Sequence, residues 1–276
     1  TFFWRQSNDL VRDQRIWDAL RKKNKAATVA NLFWWFNMYS SVDYAVTPRP
    51  QYRADGRKIP DVYTSPPDLR DTLQKKFGQF PLFKFWGPLA GIESSQWIAN
   101  AAMETERLHS PTLSFVYLPH LDYSLQRVGP NHTSISDELR AIDAVVGELV
   151  EFYTKQNVDV CILSEYAIEE VHDVVAINKV LRKNNLLAIR SEGGREYLDS
   201  GASEAFAVPD HQVAHVYVNN KKQISTVVKI LQKTTGIELV LVGDSRGDLA
   251  HDRCGDIVAV SESGYWFSHD WWSVDS

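Results

Sequence analysis

Between Tyr117 and Pro130 the chain reads YLPHLDYSLQRVGP. An apolar run, Thr112 to Leu118, leads into it, and a long amphipathic stretch follows. His, Asp, Gln and Arg at such a junction are groups that can hold protons, phosphates or metal ions. Asp122 lies a few residues beyond that apolar run. Glu165, in LSEYA, follows a second run, VDVCIL at Val158 to Leu163, in the same way. In open α/β sheets, ligands bind beyond the carboxyl ends of the strands, and both carboxylates are expected there. Two carboxylates that converge repel one another unless positive charge lies between them. A divalent metal would supply that charge, and so would a basic side chain, with Arg127 the candidate. The plainer alternatives are a loop cap for Asp122 and a solvated position for Glu165.

A second group is Asp210, His211 and His215. The two histidines are four residues apart, and an even separation within a strand puts both on one face. They could contact phosphate or replace a metal ligand. Alternatively, His211 caps a loop and His215 is a satisfied, half-buried histidine. GDSRGD, Gly243 to Asp248, reads as a loop. SEGGRE, Ser191 to Glu196, reads as a turn entering a helix and lacks the P-loop lysine. NHT, Asn131 to Thr133, fits a glycosylation acceptor. An N-terminal Thr can act as its own nucleophile and base, but the expectation for Thr1 is a fragment boundary. The aromatic runs LFWWF and SHDWW are expected to pack in the core.

The elements that must carry these groups alternate. Helices are expected over Asp13–Lys23 (Ile16, Trp17 and Leu20 on one face), Asp68–Phe77, Ile92–Leu108, Val174–Asn184 and Gln223–Lys233. The clearest helix carries Ile135, Leu139, Ile142, Val146, Leu149 and Tyr153 along one face, with Ser134 and Asp137 suited to cap its start. Strands are expected over Ala27–Phe36, Leu82–Trp86, Thr112–Leu118, Val158–Leu163, Gln212–Val218, Ile237–Val242, Asp256–Val260 and Tyr265–Phe267. Pro48 to Pro67 reads as a long surface loop. Such alternation implies an α/β fold with a largely parallel sheet. Thr112–Leu118, the long helix and Val158–Leu163 would form one right-handed βαβ unit.

Composition narrows the function. A chain of 276 residues suits one large domain or a core with a small module, and residues 168–250 are the candidate insertion. A net charge of −5 offers no basic field for a nucleic-acid polymer. Two cysteines make no disulfide framework, and Cys161, inside an apolar run, is expected in the core. The longest uncharged stretch, Ala26 to Val42, contains Asn, Ser and Thr and is short for a membrane span. No signal peptide is visible in TFFWRQSNDL. Compartment and oligomeric state are not encoded in any recognisable pattern.

LPHLDYSLQRVGP resembles a turn of the type I phosphodiesterase/nucleotide pyrophosphatase family, within the alkaline phosphatase superfamily, which usually reads L-P-x-x-D-x-x-G-H-x-x-G-P. LSEYAI looks like that family's later S-D-H-G-M turn. RIWDAL and LFWWFN are similar to its helix and strand after the nucleophile, and VPDHQVAHVYV, Val208 to Val218, to a return strand after an insertion. The resemblance implies an alkaline-phosphatase-like three-layer α/β/α core with a small α+β insertion. It also implies hydrolysis of small phosphorylated substrates and two divalent metals, usually zinc. By position, Asp122 matches a metal-binding Asp. Gln126 stands for a His, Glu165 for an Asp and Tyr166 for a His. Gly129 and Pro130 match the turn closure. The nucleophile and a further metal Asp would precede Thr1, and a last metal His would follow Ser276, so the chain is expected to be incomplete at both ends. Either a divergent metal site persists, or the chain is an inactive relative that binds a small phosphorylated or polar ligand.

Overall fold

The computed structural model describes residues 6–272; Thr1 lies outside them. The chain divides into two compact units, Thr1–Ile168 and Glu169–Ser276.

The first unit is built on β1 (Val29–Leu32), whose four residues are all buried. A strand buried on both faces reads as a continuous apolar run and suits a parallel sheet. It pairs in parallel with β2 (Tyr44–Pro48) on one side and β6 (Leu113–Val116) on the other; β5 (Val62–Ser65) adds antiparallel to β2. The order β5-β2-β1-β6 leaves β6 at an edge. β1 ends earlier than the apolar run ATVANLFWWF suggests. The Asn31 side chain accepts from the Trp34 amide at 3.2 Å, and Phe33 turns into the left-handed region at φ 68°. The aromatic residues that follow therefore leave the sheet.

Helices α1 (Ile16–Lys23), α2 (Asp68–Phe77) and α3 (Ile92–His109) form where periodicity and end charges agree. α2 carries Asp68 and Asp71 in its first turn and Lys75 and Lys76 in its last, which complements the helix dipole. Leu69 and Leu73 are its buried stripe. In α1 only Trp17 is buried, and Ile16 faces solvent.

Pro48 to Pro67 is not a bare loop. It holds a small hairpin, β3 (Gln51–Tyr52) with β4 (Lys58–Ile59), and then β5. Asp61 organises it. This carboxylate, 4% exposed, accepts from Arg70 Nε at 2.8 Å and Nη2 at 3.1 Å, Gln74 Nε2 at 3.0 Å and the Val62 amide at 2.9 Å, with Gln51 closing the set. Burial opposes its ionisation, but these donors, Arg70 foremost, hold its pKa below the usual carboxylate value.

Leu82 to Trp86 is a 3-10 turn over Leu82–Lys84, not a strand. Pro81 and Gly87 bracket the run. Phe85 drops into an aromatic core with Phe33 and Phe80, at centroid distances of 5.7 and 5.5 Å. Apolar runs this short do not distinguish a strand from a turn filling a core.

After β6 come α4 (His120–Val128) and α5 (Ile135–Thr154). Ser134 does not cap α5, and its hydroxyl instead meets His132 Nδ1 at 2.8 Å. Ile135, Val145, Leu149 and Tyr153 are the buried residues of α5, and Leu139 is exposed. Asn157, at φ 56°, ends the helix, with the Val158 amide returning to the Tyr153 carbonyl.

The expected strand Val158–Leu163 does not form, and the βαβ unit is not closed. The segment has no ladder and is exposed throughout, Cys161 included. A strand needs a neighbour for its backbone groups, and among the described residues none reaches it.

The second unit is a mostly antiparallel sheet in the order β10-β11-β13-β12, from β10 (Ala205–Asp210), β11 (Val213–Val218), β12 (Ile237–Val242) and β13 (Ile257–Ser261). β7 (Asp173–Val175) pairs in parallel with β14 (Tyr265–Phe267). α6 (Ile177–Lys183) and α7 (Ile224–Leu231) cover its core. SEGGRE is not a helix entry. Gly193 and Gly194, both at positive φ, form the tip of a hairpin between β8 (Ala188–Glu192) and β9 (Arg195–Asp199). GDSRGD lies in a 3-10 stretch, Gly243–Leu249, interrupted at Gly247.

Candidate functional site

The site forms past the C-terminal end of β6. Pro119 opens α4, which places Asp122 in its first turn. Within α4, His120 is buried, and its Nε2 lies 2.8 Å from Glu138 Oε2 of α5 without hydrogen-bond geometry. Asp122 and Gln126 are one turn apart on the same face of α4, and Gln126 Nε2 donates to Asp122 Oδ1 at 2.9 Å. Tyr166, from the segment after α5, donates its hydroxyl to the same oxygen at 2.7 Å. One carboxylate oxygen thus accepts from two neutral donors, and no hydrogen bond to Oδ2 is among those described.

Glu165 carries no hydrogen bond among those described, but its charge is felt by both nearby phenols. Burial raises the Tyr117 pKa, and the charges of Asp122 and Glu165 raise it further. Tyr166 is raised by burial first, then by its hydrogen bond to Asp122 and by the neighbouring charges. Both phenols therefore keep their protons at neutral pH; Tyr166 donates its own to Asp122, and Tyr117 accepts from the Trp35 indole. Arg127 does not stand between the carboxylates. Five positions after Asp122, it lies about 140° around the helix, exposed, with no ion pair among the described residues.

A wall of aromatic rings adjoins the site. Trp35 stacks on Trp86 at 5.6 Å and 6° and meets the edge of Tyr117 at 6.3 Å. Tyr117 and Trp35 are members that sequence reasoning missed. The signal for Tyr117 was its place directly after β6, two positions before Pro119. Trp35 had none, because its position depends on the turn after β1.

Asp210, His211 and His215 lie in the second unit. Asp210 and Val213 face each other across a two-residue hairpin tip, where His211 sits at φ 56°. His211 and His215 therefore do not share a strand. Asp210 Oδ1 and His211 Nε2 are 3.8 Å apart and exposed. His215, within β11, takes the Gly255 amide at 3.3 Å on Nδ1, with Cys254 Sγ also at 3.3 Å. These are local structural contacts.

The residues present were weighed against a metal. Structural and catalytic zinc sites use three or four His, Cys, Asp or Glu ligands. Among the described residues no three such side chains converge. Asp122 and Glu165 can each offer a carboxylate, but Gln126 and Tyr166 are neutral and spend their donors on Asp122. The described residues alone do not make a complete divalent-metal site.

A mixed α/β fold with a mainly parallel central sheet is alkaline-phosphatase-like. The type I phosphodiesterase/nucleotide pyrophosphatase family matches residues 1–275, and the chain belongs to that family. Among solved structures, it is similar to phosphonoacetate hydrolase from Sinorhizobium meliloti 1021 in complex with phosphonoacetate, at 16% identity and a TM-score of 0.61. The complex of that enzyme with phosphonoformate gives 13% and 0.52. Both comparisons cover 96% of this chain and 63% of the other, so this chain spans under two thirds of the structures it matches. No curated protein matches the sequence. Among the described residues no helix is long and apolar enough to cross a membrane.

Proposed function

We propose that the chain is part of a phosphoric-ester hydrolase of the phosphodiesterase/pyrophosphatase type, acting on a small phosphorylated substrate at the end of β6. Its support is family membership. The observation that carries the siting is the convergence of Gln126 and Tyr166 on one oxygen of Asp122. In this reading Asp122 Oδ2 and the Glu165 carboxylate are two arms of a divergent divalent-cation site, zinc by resemblance, whose other ligands come from outside residues 6–272. When bound, the cation would neutralise substrate charge. Gln126 and Tyr166 orient Asp122, and Tyr166 serves as a donor rather than a ligand. Tyr117 and Trp35 shield the polar end of the site from one side. No nucleophile is assigned within the described residues. Asp210, His211 and His215 as phosphate contacts, and Arg127, remain part of the proposal only as candidates for substitution.

The test is hydrolysis of bis-p-nitrophenyl phosphate and of a nucleotide by the intact gene product, with zinc or manganese titrated calorimetrically. Stoichiometric metal binding and turnover, both lost in Asp122→Ala, support the reading. Metal binding that is unchanged in that variant refutes the siting. A second reading, an inactive relative that binds a phosphorylated ligand, is favoured by the neutral partners of Asp122. Ligand binding without turnover or metal uptake would establish it.

A further inference from the structure

The second unit brings one nucleophile and one base together. In β11, Ala214 and Val216 face the core, so His215 between them projects from the opposite face of the sheet. Cys254, half-buried, lies in the turn that leads into β13, and its Sγ is 3.3 Å from His215 Nδ1. The two residues are 39 apart in sequence, and Gly255 is what lets them meet. A Cβ there would lie 2.6 Å from the Val216 amide nitrogen and 2.9 Å from the Val216 and Ile257 carbonyl oxygens. Only glycine allows the turn to press this closely on β11. The turn is also clamped on both sides of the cysteine. Arg246 Nη1 donates to the Gly255 carbonyl at 2.7 Å, and the Tyr217 hydroxyl donates to the Arg253 carbonyl at 2.9 Å. The Cys254 amide donates to the His251 carbonyl at 2.9 Å.

The same contacts give the imidazole its role. The Gly255 amide meets Nδ1 at 3.3 Å, and an amide N–H can only donate. Nδ1 therefore carries a lone pair, and the Cys254 thiol faces it, as a nucleophile faces its base. The charged groups nearby are Arg246 and Asp256, and Asp256 is paired with Lys221. The Tyr217 phenol keeps its proton: burial raises its pKa, and charge at Cys254 and Asp256 raises it further. We infer that Cys254 is a thiol–disulfide exchange site for a low-molecular-weight disulfide, with His215 as its base and then its acid. Nδ1 takes the thiol proton. The Cys254 sulfur attacks one sulfur of the disulfide, and the S–S bond breaks. The leaving thiolate takes the proton back from Nδ1. The products are a mixed disulfide on Cys254 and one free thiol, with the small disulfide as the oxidant. This inference is independent of the hydrolase reading.

The intact gene product would be treated with 2-hydroxyethyl disulfide at neutral pH, and modification of Cys254 followed by peptide mass. Cys254 is expected to react about ten-fold faster in the folded protein than in the urea-unfolded chain, although folding half-buries it. In His215→Gln the folded rate should fall to the unfolded one or below. Raising the pH should restore it, because solution base then takes the thiol proton. Amide exchange in β11 checks that the variant is folded. A native folded rate that does not exceed the unfolded one would overturn the inference, and this comparison decides alone if the variant does not fold. A folded His215→Gln protein that reacts as fast as the native one would overturn it too. So would one that stays slow at every pH, since His215 would then only shape the turn.

Discussion

Asp61→Ala is the sharpest test of how the segment between β2 and α2 is held. The substitution removes a buried acceptor of bonds from Arg70, Gln74, Gln51 and the Val62 amide. Arg70, whose side chain is 37% exposed, retains Asp71 at 2.6 Å and water, so its loss is discounted. The glutamines rehydrate in part. The Val62 amide, buried, is left unsatisfied, at a cost of about 1–3 kcal/mol. Together with the lost charge-assisted bonds, about 3 kcal/mol is expected, toward the low end for breaking a buried pair. For a unit of this size that lowers the melting temperature by about 6–12 °C. Arg70→Ala should cost less, about 1–2 kcal/mol, because Asp61 keeps neutral donors. A double-mutant cycle from urea titrations separates the pair. The deficit also depends on pH. Asp61 has a folded pKa below its unfolded one, so its stabilisation is full above the unfolded value and is lost as pH falls through the folded one. A loss under about 1 kcal/mol for Asp61→Ala at neutral pH, with no narrowing of the gap in acid, would refute the idea that Asp61 organises the segment.

Other outcomes follow from single contacts. Burial pushes the Tyr153 phenol up to about 12, with the Glu106 charge adding to it. Its contribution is full below the ordinary value of 10.0 and is lost as pH rises through about 12. Against Tyr153→Phe, the native chain should lose about 2–3 kcal/mol over that window, read by urea unfolding and phenolate absorbance. Gly236 lies at φ 85°, and a Cβ there would sit 2.5 Å from Tyr265 Cδ1 and 2.7 Å from Val175 Cγ2. Gly236→Ala should therefore destabilise the second unit by about 2–3 kcal/mol, measured calorimetrically; a neutral result would show that Tyr265 can withdraw. Tyr166→Phe removes one of two donors to Asp122 at an exposed site, so it should leave stability within about 0.5 kcal/mol. If the proposed site is correct, metal affinity and turnover should change, and calorimetry with the intact product checks both.

What the sequence revealed depended on the range of the interactions. α2 and α3 were legible almost to their ends, because the i, i+3 and i+4 pattern and the terminal charges are local. The aromatic run at Leu82–Trp86 misled for the opposite reason: Phe85 packs on Phe33, far away in sequence, as well as on nearby Phe80. Val158–Leu163 has strand composition without a strand, since pairing is a property of two segments. The hairpin at Gly193–Gly194 was missed because consecutive positive-φ glycines suit a two-residue turn, a local cue read as a helix entry. In the site, Asp122 and Glu165 were found from their places after apolar runs. The contact between Tyr166 and Asp122 bridges residues 44 apart, and no periodicity encodes that.

The pairing of β7 with β14 has a further consequence. The second unit begins and ends on neighbouring threads: the His172 amide bonds the Gly264 carbonyl, and the Ser268 amide bonds that of Val175. A body whose entry and exit lie side by side can be spliced into a host loop without prying that loop apart. Such a module can be gained, lost or exchanged in a lineage as a single event. Residues 169–268 are therefore the natural cut for a transplant, and joining the two ends with a short linker is the natural design for a circular permutant.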